Sequence, residues 1–137
     1  MAEAGGAATV TASLSAASGK TVTVNLAFSG TATVTNDYTR SGTSIVIPPG
    51  STNGSIILTA VQDNVDETDE TIIVDISSVT NGTESGTQQV VATIIDDDGP
   101  TISISNATLT EGNTGSTGGA KFTVTISAVS PQDITVN

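Results

Sequence analysis

The stretch Thr21-Val22-Thr23-Val24-Asn25-Leu26-Ala27-Phe28 sets Val22, Val24, Leu26 and Phe28 against Thr21, Thr23, Asn25 and Ala27. Successive side chains of an extended chain point to opposite faces, so a period of two marks a strand with one face on a core. The same beat runs outward through the chain. Ile72, Val74 and Ile76 alternate with Thr71, Ile73 and Asp75, and Val90, Ala92 and Ile94 alternate with Val91, Thr93 and Ile95. No window carries a helical stripe. The pattern predicts strands at about 8–14, 21–28, 31–35, 43–47, 54–62, 71–79 and 87–95, then 101–105, 121–127 and 133–137. Turn signals punctuate them at Ser18-Gly19, Pro48-Pro49-Gly50, Asn53-Gly54, Asn81-Gly82 and Gly99-Pro100. Asn53-Gly54 and Asn81-Gly82 read as hairpin turns. Many short strands at even spacing imply an all-β, antiparallel β-sandwich.

Composition narrows what such a sandwich does. The chain has 137 residues, enough for one domain or one domain and a fragment. It holds 25 Thr and 16 Ser but only three aromatic side chains, Phe28, Tyr38 and Phe122, with no Trp. Thr and Val suit a pleated surface. There is neither Cys nor His, which excludes disulfides, thiolate metal sites and a Ser-His-Asp triad. Fourteen acids against three bases give a net charge of -11. That balance excludes nucleic acid as a partner and disfavours direct contact with an anionic membrane. No apolar run approaches the length of a membrane span. Met1 leads straight into Ala-Glu-Ala-Gly-Gly, so no signal peptide is expected there.

The chain repeats itself. Ser13 to Asn25 (SLSAASGKTVTVN) aligns without a gap on Thr125 to Asn137 (TISAVSPQDITVN), at a spacing of 112. Upstream, Glu3-Ala4-Gly5-Gly6 resembles Glu111-Gly112 and Gly118-Gly119, with about four extra residues in the second copy. The expected organisation is one repeat over 1–98 and the first third of another over 99–137, joined at Asp98-Gly99-Pro100. So short a joint sets consecutive repeats end to end with little slack. The second copy has a strand, Thr101 to Ser105, ahead of its Glu. The first has none ahead of Glu3: either that strand has been cut off, or another segment supplies it.

The acids are clustered. Asp63, Asp66, Glu67, Asp69 and Glu70 fall within eight residues, and Asp96, Asp97 and Asp98 are consecutive. Each run follows a predicted strand, and the loops of a sandwich gather at its two ends. Two unit charges about 4 Å apart repel by roughly 4 kcal/mol at an effective dielectric near 20. Lys20, Arg40 and Lys121 are too few to relieve this. A solvated acidic loop is the plain alternative for either run alone. For both at one end, a hard cation with six to eight oxygen ligands fits better, and Ca2+ is the natural candidate. The spacing matches neither an EF-hand nor a glycine-rich calcium nonapeptide.

Specific strings then carry a resemblance. They are Gly30-Thr31-Ala32 with Asp37-Tyr38-Thr39, Ile45-Val46-Ile47-Pro48-Pro49-Gly50, and Asp63-Asn64-Val65-Asp66-Glu67-Thr68-Asp69-Glu70-Thr71. The closing string is Val91-Ala92-Thr93-Ile94-Ile95-Asp96-Asp97-Asp98. Together they resemble the Calx-beta domain over about residues 3–98. The resemblance implies an immunoglobulin-like sandwich of about seven strands with calcium sites at one end. It also implies a ligand set of Glu3, Asp37, Asp63, Glu67, Glu70, Asp96, Asp97 and Asp98. Gln62 departs from the family pattern, which has an Asp there in its best calcium binders. An amide oxygen ligates calcium without adding charge.

Paired carboxylates also occur in glycosidases. Those clefts use aromatic platforms that this chain lacks, so catalysis is not expected. The main functional expectation is a calcium-binding structural repeat of a large extracellular or cell-surface protein, with the ion stiffening the joint between repeats. Its partners are then neighbouring repeats of the same chain, and strand-swapped self-association through 101–137 is expected as well. The alternative is a calcium-sensing regulatory domain in the cytosolic loop of a membrane ion exchanger.

Overall fold

The computed structural model describes residues 1–109, 112, 115 and 119–137. Glu111 and Gly118, which the repeat aligns with the Glu3 segment, lie outside the described residues. Among the described residues, nine strands follow in order: β1 (Ala7–Ser13), β2 (Val22–Gly30), β3 (Tyr38–Arg40), β4 (Ser44–Ile47), β5 (Asn53–Ala60), β6 (Glu70–Thr80), β7 (Gln89–Ile94), β8 (Ile102–Ile104) and β9 (Val124–Ile126). The first seven form an antiparallel sandwich. One sheet has the order β1-β5-β3 and the other β4-β2-β6-β7.

The period of two becomes the core. One sheet contributes Val22, Val24, Ile45, Ile47, Ile72, Val74 and Ile94, and the other contributes Tyr38, Ile56, Leu58 and Ala60. A bulge between Asn25 and Leu26 shifts the β2–β6 register, so that Leu26 meets Ile76. Leu58, at the centre of β5, is fully buried. Leu58→Ala removes its methyl groups and leaves a cavity, at a cost of about 2–5 kcal/mol. The urea midpoint should fall by that amount divided by the slope, with the slope itself unchanged. An unmoved midpoint would place Leu58 outside the core.

Four local expectations give way. Residues 31–35 form no strand: Val34 makes only an isolated bridge to Tyr38. The cause is Asp37, whose carboxylate accepts the Thr33 amide at 2.5 Å and the Thr33 hydroxyl at 2.7 Å, folding the segment into a turn. Thr35 takes φ 81° there, a costly conformation for a β-branched residue. The strand falls instead on Tyr38–Arg40, too short for its period to show. Asn53-Gly54 is no turn but the start of β5. Gly54 is needed because a Cβ would sit 2.6 Å from the Val46 carbonyl oxygen. The reversal lies at Pro48 to Ser51, closed by the Ser51 amide donating to Pro48 O at 3.1 Å. Asn81 does adopt a left-handed φ of 59°, but β7 begins only at Gln89, so the connection is a loop rather than a two-residue hairpin. Residues 133–137 form no strand.

At the front, Ala2 bridges Ile95 in parallel. The Glu3 amide donates to Ile95 O at 3.0 Å, and the Ile95 amide donates to Met1 O at 2.9 Å. This short pairing ties Glu3 to the end of β7. β8 and β9 form a separate two-stranded sheet with exposed apolar side chains, Ile104 among them.

Candidate metal centre

The acids meet at the end of the sandwich where β7 finishes and β6 begins. Glu70 opens β6 and pairs with Ile94, so the run Asp96–Asp98 leaves the sheet beside it. Glu3 is delivered by its parallel pairing with Ile95 and is 6% exposed, the one buried charged residue among those described. Its Oε1 accepts the Asp63 amide at 3.2 Å. Asp37 is fixed by its bonds to Thr33 and by the buried Tyr38 that follows it. Asp63 uses Oδ1 to accept the Val65 amide at 2.7 Å, which shapes the acidic loop. The Asp96 amide donates to Asp69 Oδ1 at 3.3 Å and links the two acidic runs.

Two groups of carboxylates result. Glu3, Asp96 and Asp98 form one, and Asp37, Glu67 and Glu70 the other. Within each, three carboxylate oxygens lie within 4.8 Å of one another. A cavity of about 10 Å³, lined by Glu3, Asp37, Glu67, Thr68, Glu70, Ile94 and Asp96, joins the two. That is room for about one water-sized sphere. Asp96 Oδ1 and Asp66 Oδ2 are buried with no hydrogen-bond partner. An unpaired buried carboxylate oxygen is costly.

Sequence reasoning expected eight ligands, and six of them fall in these two groups. Asp63 lies near Glu3 but outside both, and Asp97 is exposed and outside both. Asp66 belonged to the visible acidic run but had no assigned role, and only its orphaned oxygen singles it out. Gln62 turns its amide N–H groups to Asp63 O at 2.9 Å and Asp98 Oδ2 at 3.0 Å. Its amide thus braces a carboxylate of the first group. Arg40 stacks over the Phe28 ring at 4.2 Å.

Crowding shows in the acidities. Burial raises the pKa of Glu3; the hydrogen bond from the Asp63 amide opposes this, while Asp96 and the Asp63 charge add to it. Burial, then Asp63, Asp37 and Asp96, raises that of Glu67. Burial, then Asp97, Asp96 and Asp63, raises that of Asp98. Burial and the neighbouring Asp37 push Glu70 up to about 7. A raised carboxyl pKa means that the folded state holds protons the unfolded state has released. Metal-free stability is therefore greatest below pH 4.5 as far as Glu70 is concerned, and it is lost as pH rises toward about 7. Melting in chelator should show the midpoint falling across that window. A midpoint that rises there would contradict the crowding.

Carboxylate-only donors, the orphaned Asp96 oxygen and a water-sized cavity suit a hard divalent cation. Bound there, it would neutralise the charge that now holds protons on Glu70.

A family model described as the Calx-beta domain matches residues 1–98. Among solved structures, the chain is similar to the crystal structure of CBD12 from CALX1.2. The TM-score is 0.61 and the identity 21%, over 71% of this chain and 41% of that one. It is also similar to calcium binding domain CBD12 of CALX1.1, with TM-score 0.58 and 22% identity, over 71% of this chain and 40% of that one. The chain thus spans about two fifths of the length of these structures. No curated protein matches it. With the family model covering well over half its length and the same sandwich in its neighbours, the chain belongs to the Calx-beta family.

Proposed function

We propose that this domain binds Ca2+ between its two carboxylate groups and that the ion stiffens the joint with the segment that follows. Glu3, Asp37, Glu67, Glu70, Asp96 and Asp98 would hold the metal, with Asp63, Asp66 and Asp97 near at hand. The ion supplies positive charge where burial now sets acids against one another, and it accepts the flexible oxygen coordination that these carboxylates offer. The chain shares its fold with calcium binding domain CBD12 of CALX1.1, which supports calcium over other hard cations.

The observation that carries the structural reading is where the chain leaves the sandwich. It exits through Asp96-Asp97-Asp98, so the proposed ligands Asp96 and Asp98 lie four and two residues before Pro100. The tail also touches the site loop, since the Gln132 side-chain amide donates to Glu67 O at 3.4 Å. An ion held by Asp98 would fix the start of the linker to the sandwich. Within this reading the domain is one link in a longer extracellular or surface chain. Regulatory calcium sensing in a membrane ion exchanger is the second reading, supported by the family fold shared with CBD12 of CALX1.2 and CALX1.1.

Backbone 15N relaxation of the full chain, in calcium and in chelator, tests the stiffening. Order parameters at Gly99, Thr101 and Ile102 should rise toward those of β7 when calcium is bound. Binding without any change at these residues would leave the metal site standing and remove the structural role.

A further inference from the structure

The internal repeat assigns a partner to an edge that has none. At the spacing of 112, Ala12, Ser13 and Leu14 align with Val124, Thr125 and Ile126. The latter three are β9, and β9 pairs antiparallel with β8, in the register Ile104↔Val124, Ser103↔Thr125 and Ile102↔Ile126. Its equivalent β1 has β5 on one side and no strand on the other among the described residues. Behind that free edge lies an open groove of about 690 Å³ between the sheets, lined in part by Val10, Ala12, Leu14, Ile76, Val79 and Val90. β8 meanwhile leaves Ile102 and Ile104 46% and 67% exposed.

We propose that β8 of one molecule adds to the outer edge of β1 in a second copy, in place of β9. Copying the register of the repeat sets Ile102 opposite Leu14, Ser103 opposite Ser13 and Ile104 opposite Ala12. The phase agrees on both strands. Ala12 and Leu14 are half-buried against the core while Ser13 is exposed, so Ile102 and Ile104 enter the groove and Ser103 faces solvent. Main-chain bonds along the edge give affinity, and the two isoleucines give register.

The molecule's own β8 cannot reach this edge. Antiparallel pairing puts Ile102 at the end of β1 remote from Glu3, whereas Asp98 lies with Glu3 and Asp96 at the acidic end. From Ala7 to Leu14 an extended strand runs roughly 24 Å. The four residues from Asp98 to Ile102 span at most about 14 Å. The acceptor is therefore another molecule, and reciprocal exchange closes a dimer or propagates a chain. This contact needs no metal, so it stands or falls apart from the calcium site.

Cysteine cross-linking of the full chain tests it, since no native Cys competes. Ser13→Cys and Ser103→Cys proteins are mixed and oxidised, and the linked pairs are identified by mass spectrometry. Mixed 13–103 dimers should exceed the two like-with-like dimers several-fold. Thr11→Cys in place of Ser13→Cys should restore the statistical ratio. Ile104→Lys, at an exposed position, should abolish association in sedimentation while leaving the thermal transition in place. A statistical mixture, association unchanged by Ile104→Lys, or a doubly substituted chain that links only within one monomer would each overturn the exchange.

Discussion

Calcium at about a thousand times its dissociation constant should raise the melting temperature of this domain by roughly 15–30 °C. A ligand that binds only the folded state stabilises by about 4 kcal/mol at that excess. In a domain of 60–100 residues each kcal/mol moves the midpoint by about 4–8 °C. Only the folded state gathers Glu3, Asp96 and Asp98 at one point and Asp37, Glu67 and Glu70 at another. The unfolded chain spreads them over almost a hundred residues. Magnesium should shift the midpoint far less, because it demands tighter octahedral geometry and sheds its waters reluctantly. Differential scanning calorimetry in calcium, magnesium and chelator reads the difference directly. Equal midpoints in calcium and chelator would contradict it.

The second large effect has opposite signs with and without the ion. Glu70→Gln removes a charge that burial and Asp37 already disfavour. Without metal, the variant should melt higher than the wild type near pH 7, and its midpoint should depend less on pH between 4.5 and about 7. With calcium the order reverses, because a charged ligand has been lost. Affinity should fall at least about tenfold, equivalent to about 1.4 kcal/mol. Asp96→Asn should act alike in calcium and should exceed Asp97→Asn, since Asp97 is exposed and outside both groups. Asp75→Asn is the control. Asp75 accepts bonds from the Gln89 amide at 3.0 and 3.2 Å, on β6 away from the site, and its substitution should leave affinity unchanged. Glu70→Gln and Asp75→Asn curves that coincide in calcium would remove Glu70 from the ligand set.

The sandwich was legible because burial writes itself into alternation. Val22 and Val24, Ile45 and Ile47, Ile72 and Val74 all point inward as their spacing requires. What stayed hidden were decisions made by single hydrogen bonds or single contacts. The Asp37 carboxylate bends 33–37 into a turn despite a strand-like Thr-Val-Thr. The close Val46 carbonyl demands Gly54 inside a strand, where Asn-Gly reads locally as a turn. At the site, the acid runs named the neighbourhood, and the two strand ends at Glu70 and Ile94 decided which acids converge. Asp66 shows the limit: its number in the run says nothing of the buried Oδ2 it presents. The pairing of Met1–Glu3 with Ile95 was also beyond local sequence, since it joins residues more than ninety apart.

The central claim is that two carboxylate groups at one end of the sandwich bind calcium together. Isothermal titration of the chelator-treated chain with calcium, beside a Glu70→Gln/Asp96→Asn double variant that takes one acid from each group, tests it most directly. Saturable binding in the wild type and its loss in the folded double variant is the expected result. No heat and no displaceable calcium in the wild type, or binding that survives in the double variant, would contradict it.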